Sequence, residues 1–141
     1  DANGAVVCGS GPTTLFDEAA PVNGLTQTCE DVASLDFGTV PAGLLSCSGT
    51  VHATLDHVTA TTSRLEFDFA DAAIACGGTQ AVVYEVPGSF PSAAGHDTSF
   101  QVVRTFSVPA GPLNVRLNAR TVNAFTATEL AHNVVCTFTP Q

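Results

Sequence analysis

The sequence predicts an all-β fold: an antiparallel two-sheet β-sandwich of about 8–10 short strands, stabilised by disulfides. Three observations predict it. Apolar and polar residues alternate with period two in one run after another. Glycine and proline punctuate those runs as tight turns. Five cysteines are scattered over a chain of 141 residues.

Taken in chain order, Val51, Ala53 and Leu55 alternate with His52, Thr54 and Asp56, the pattern of a half-buried strand. Leu65, Phe67 and Phe69 alternate with Glu66 and Asp68, and Val82, Tyr84 and Val86 define a further strand. Phe100, Val102, Phe106 and Val108 line one face of the next, with Arg104 interrupting it. Leu113, Val115, Leu117, Ala119 and Thr121 alternate with Asn114, Arg116, Asn118 and Arg120, the clearest dry and wet faces in the chain. Val134, Cys136 and Phe138 oppose Val135, Thr137 and Thr139. Asn23-Gly24, Cys76-Gly77-Gly78, Pro87-Gly88 and Ala110-Gly111-Pro112 supply turn chemistry. Pro91 to Asp97 reads as a longer loop. Thr126 and Glu129 have capping-box spacing, which predicts a short helical turn from Thr126 to His132.

With neither repeat nor linker, residues 1–141 read as a single domain. Alternation on nearly every strand means one face in and one face out, as in two packed sheets. Jelly-roll and immunoglobulin-like topologies both fit, because periodicity does not record which strands are neighbours.

Charge excludes several function classes. Thirteen acids against four arginines, with no lysine, give a net charge of −9. Nucleic-acid binding rests on several cationic contacts to phosphate, so it is not expected. Anionic membrane surfaces are disfavoured for the same reason. No apolar run approaches the roughly 20 residues of a spanning helix.

The cysteines form no zinc-like pair, and their spread suits long-range disulfides in an oxidising space. The segment Asp1-Ala2-Asn3-Gly4 reads as the start of a processed chain. Both observations predict a secreted or extracellular protein. Cys47 shares the parity of Val51, Ala53 and Leu55, provided Gly49 introduces no bulge; Cys136 lies on the apolar face of its own strand. Five cysteines allow fifteen ways of making two disulfides, which spacing does not decide; parity makes Cys47–Cys136 a candidate bridge that would staple the C-terminal strand. Pairing Cys8 with Cys29 would tie down the N-terminal segment and leave Cys76, beside two glycines, as a free or intermolecular thiol.

Chemistry is sparse. No Gly-x-Ser-x-Gly elbow, phosphate-binding loop or His-Glu-x-x-His motif occurs. The absence of lysine removes Schiff-base catalysis. Glu66, Asp68 and Asp71 are weak Ca²⁺ candidates, since hard cations need several oxygens on one face; solvated acids that keep the domain soluble are the simpler reading. Arg104, Arg116 and Arg120 form a cationic stripe if their strands are neighbours, unless they pair with Glu66, Asp68 or Glu85. His52 and His57, five apart, are expected on opposite faces.

No cofactor and no catalysis are expected. The residues favour a non-catalytic domain that acts through its surface, in a structural, adhesive or self-assembling role with protein partners. The Gly4–Cys8 run is a candidate donor strand for a neighbouring copy, with pairing into its own sheet the simpler reading. The alternative is a carrier, holding a small apolar ligand in a cavity between the sheets.

Overall fold

In a computed structural model of the chain, the structure describes residues 11–19, 24–71, 76–78, 81–122 and 127–141. Eight strands run through them: β1 (Thr13–Ala19), β2 (Glu30–Val40), β3 (Gly43–His57), β4 (Ser63–Asp71), β5 (Val82–Val86), β6 (Ala93–Val108), β7 (Gly111–Thr121) and β8 (Ala127–Pro140). They form two four-stranded sheets, ordered β1-β8-β3-β6 and β2-β7-β4-β5, with every pairing antiparallel.

This order decides between the two sandwich topologies. The chain changes sheet at every connection except β4 to β5, and the first and last strands lie side by side. That is the jelly-roll arrangement, with two interlocked Greek keys. An immunoglobulin order would instead place strands A, B, E and D together.

The core lies between the sheets. Leu45, Val51, Leu55, Val102, Val134 and Cys136 face Leu65, Phe67, Phe69, Val115, Leu117 and Ala119, and all are essentially inaccessible to solvent. Gly49 shows how closely the layers approach. A Cβ there would stand 3.3 Å from the Phe69 ring of the facing sheet. β3 keeps its register with both neighbours at Gly49, so the parity that turns Cys47 inward is preserved.

Three local expectations are corrected. The segment Thr126–His132 contains no helical turn among its described residues, because β8 begins at Ala127 and pairs with β3. Pairing with a central strand outweighs a capping signal that stabilises only one turn. The loop expected from Pro91 to Asp97 stops at Ser92, and β6 starts at Ala93. Three strands of the first sheet are also long rather than short: β3, β6 and β8 have 15, 16 and 14 residues.

Candidate functional site

The outer face of the first sheet is where this molecule departs most from an ordinary wet surface. Its outward residues line up in rows set by strand register. Phe16 of β1 stands opposite Val135 of β8, which stands opposite Ser48 of β3, which stands opposite Val103 of β6. Phe16 is 72% exposed and Val103 54%. With strands ~4.8 Å apart, this row spans about 14 Å of the sheet, three apolar side chains with Ser48 between Val135 and Val103.

Neighbouring rows carry hydroxyls that satisfy one another. Thr14, Thr137, Ser46 and Thr105 form the next row, with Thr14 Oγ1 2.9 Å from Thr137 Oγ1. Ser46 and Thr105 are 3.5 Å apart. On the other side, the His52 ring hydrogen-bonds the Ser99 hydroxyl. Hydroxyls already paired with each other cost less to remove from water than free ones. From the row of Leu44 to that of His52, Glu18 is the one charged residue among the described outward side chains, and the Asn133 amide donates to it at 2.9 Å.

The outer face of the second sheet is built on charge. Arg116 pairs with Asp31, Arg120 Nε with Glu66 at 2.7 Å, and Arg64 Nε with Glu85 at 3.5 Å. Glu66 and Asp68, expected to be solvated, are 7% and 2% exposed. The reason is a cover. A disulfide joins Cys29 to Cys76 and holds Cys76–Gly78 over this face. The Gly78 amide donates to Asp68 at 3.2 Å. A Cβ on Gly78 would come within 2.5 Å of Asp68, and one on Gly77 within 2.8 Å of Arg120. These two glycines permit a close approach to the ion pairs.

Arg104 reaches the same face from the other sheet. β5 pairs with β4 only from Ser63 to Phe67. Beyond that point Arg104 crosses from β6 and donates to Asp68 at 2.9 Å and to the Phe69 carbonyl. Its guanidinium also lies 4.6 Å from the centre of the Phe106 ring.

The structure relocates several predicted site residues. Cys47 and Cys136 are joined, directly opposite each other on β3 and β8. Cys29 pairs with Cys76 and not with Cys8, so the expectation of a free Cys76 thiol is corrected. Spacing alone could not reveal that Cys76–Gly78 lies against the outward acids of β4. Neither bridge uses Cys8, which lies outside the described residues together with the rest of the Gly4–Cys8 run. Arg104, Arg116 and Arg120 do not form a stripe: they sit on two sheets, and each is spent on a carboxylate. Glu66 and Asp68 are likewise committed to arginines, while Asp71 is exposed at the end of β4. Among the described residues no group of three metal-ligating side chains forms.

Sequence reasoning missed two histidine pairs. His52 and His57 do face opposite ways, but His57 is buried. Its Nε2 lies 3.3 Å from the Phe90 carbonyl, so with the ring neutral that nitrogen donates, and Nδ1 accepts from the Ser63 hydroxyl at 3.0 Å. His96 Nε2 lies 2.6 Å from the Tyr84 hydroxyl and links β6 to β5 across the sandwich edge. At this rim is a pocket of about 280 Å³, walled by Val86, Phe90, Pro91 and Ala93 with both histidines. The weak signal was the shared inward parity of His57 with Leu55.

Known proteins agree on the fold. Among solved structures the chain is similar to that of the infectious bursal disease virus Gx strain, with a TM-score of 0.57 and 12% identity over 92% of this chain and 32% of that one. The VP2 subviral particle of infectious bursal disease virus gives 0.55 and 12%, over 91% and 33%. Eiger TNF from S. frugiperda gives 0.53 and 10%, over 91% and 93%. The chain thus spans about a third of the two viral chains. No family model and no curated protein sequence matches. What these likenesses define is a class: a disulfide-bonded jelly-roll β-sandwich.

Proposed function

We propose that this chain is a secreted, non-catalytic jelly-roll domain that works through its surface as a self-assembling structural or adhesive protein. The observation that carries the reading is the outer face of sheet β1-β8-β3-β6, with its exposed Phe16, Val135 and Val103 among paired hydroxyls. Two copies at −9 repel each other. They approach at least electrostatic cost where the contact surface carries almost no charge. Two disulfides suit an oxidising extracellular compartment. The similar VP2 fold occurs in a subviral particle, which adds a precedent for assembly.

Size-exclusion chromatography with light scattering tests the reading. The wild-type protein associates as concentration rises, and Phe16→Lys shifts it toward monomer without loss of folded signal. A broad esterase, glycosidase and protease panel stays silent.

One observation favours a second reading, carriage of a small apolar ligand. The rim pocket beside His57 and His96 has mostly apolar walls and is lined by the half-exposed Phe90. Native mass spectrometry of protein from its natural source would show an added mass if that reading holds.

A further inference from the structure

The four strands at the sheet edges are not equally defended. β1 carries Asp17 and Glu18, β2 carries Glu30, Asp31 and Asp36, and β5 carries Glu85. β1 and β5 are also short, with seven and five residues. β2 is broken by two register shifts, at Asp31/Ala33 and Asp36/Gly38. Short length, outward charge and bulges are the usual protections of an edge. From Thr98 to Val108, β6 has none of them. It contains no acid and no proline, and its pairing with β3 runs without a shift from His96 to Val108. Its one charge, Arg104, is held by Asp68 and the Phe69 carbonyl.

The free backbone groups of this edge can be assigned. Cys47 and Cys136 are directly opposite, with Cα atoms 4.1 Å apart, the short spacing of a non-hydrogen-bonded pair. The amide and carbonyl of Cys47 therefore point away from β8 and toward β6, where its partner is Arg104. Arg104 and the other even-numbered residues of this run thus bond β3. Ser99, Gln101, Val103, Thr105 and Ser107 direct their amides and carbonyls at the open edge, on which no described strand pairs.

We propose that this edge pairs with the same edge of a second copy, β6 against β6 in antiparallel register about a two-fold axis. The proposal rests on the self-association reading above and adds to the face contact a second contact, at the β6 edge of the same sheet. A two-fold contact presents the same strand to itself, so its residues must be self-compatible. Thr98–Val108 meets that condition: its outward side chains are Ser99, Gln101, Val103, Thr105 and Ser107, with no charge to oppose its own copy. The acidic edges β1, β2 and β5 would each set like charges together. The paired segment is about 37 Å long at ~3.4 Å per residue. It would join two four-stranded sheets into one, and the uncharged outer faces of both copies would become continuous.

The test uses the full chain as wild type, Gln101→Pro and Gln101→Ala, compared by sedimentation velocity and circular dichroism. Gln101→Pro removes one edge-facing amide and leaves the bonds to β3 intact, while Gln101→Ala keeps that amide. The expected result is dimerisation at least roughly tenfold weaker in Gln101→Pro, with Gln101→Ala close to wild type. Hydrogen exchange on the wild type is the second measurement, in case Gln101→Pro folds poorly. The amides of Ser99, Gln101, Val103, Thr105 and Ser107 become protected as protein concentration rises. If the wild type associates while Gln101→Pro associates equally well, or while those five amides exchange freely, the edge pairing is overturned and the broader reading stands. A wild type that is monomeric at every concentration overturns both.

Discussion

The two outer faces of this sandwich solve opposite problems. On sheet β2-β7-β4-β5, Arg64, Arg116 and Arg120 meet Glu85, Asp31 and Glu66, and the Cys29–Cys76 bridge holds backbone over the acids of β4. On sheet β1-β8-β3-β6, hydroxyls bond one another and Phe16, Val135 and Val103 stay exposed. The arginines are thus consumed within the molecule, and much of the net negative charge lies away from one broad surface. An acidic protein can meet a like-charged copy through such a surface. The charged face contributes stability; under the function proposed above, the uncharged face contributes contact.

Breaking the cover should have the largest effect. Replacing both Cys29 and Cys76 with alanine is expected to cost ~4 kcal/mol, from the entropy of a loop spanning a separation of 47 residues. Urea unfolding would read it. Next comes Arg104→Ala. Asp68 is 2% exposed, so removing its partner strands a buried carboxylate, for about 3 kcal/mol. Arg64→Ala should change stability by under ~1 kcal/mol, since both partners of that pair are more than two-fifths exposed. At the small end, Phe16→Lys on the uncharged face should leave unfolding within about 0.5 kcal/mol of wild type and still reduce association. Equal losses of stability from Phe16→Lys and Arg104→Ala would erase the distinction between the faces.

Much of the sandwich was legible in the sequence, for a physical reason. Burial on one side imposes period two, and β3, β4, β6, β7 and β8 all show it. β2 did not, because its two bulges break the alternation of Val32, Ala33 and Leu35. β1 did not because Leu15 and Phe16 are adjacent: one faces the core and the other faces solvent. The jelly-roll order was not legible, since alternation assigns a face and not a neighbour. The same gap hid the candidate surface. Phe16, Val135, Ser48 and Val103 come from four separate strands, and only register places them in one row. The ion pairs were half legible. Glu66 and Arg120 were read as outward residues of their strands, but the cover that buries Glu66 depends on a disulfide that spacing could not assign.

Under the proposed function, the uncharged sheet mediates self-association. Sedimentation velocity on a Cys8→Ser variant tests it most directly, because association there cannot come from a disulfide through Cys8. The expected mass rises above 14.4 kDa with concentration and falls back when Phe16→Lys is added. A single 14.4 kDa species at every concentration would contradict it.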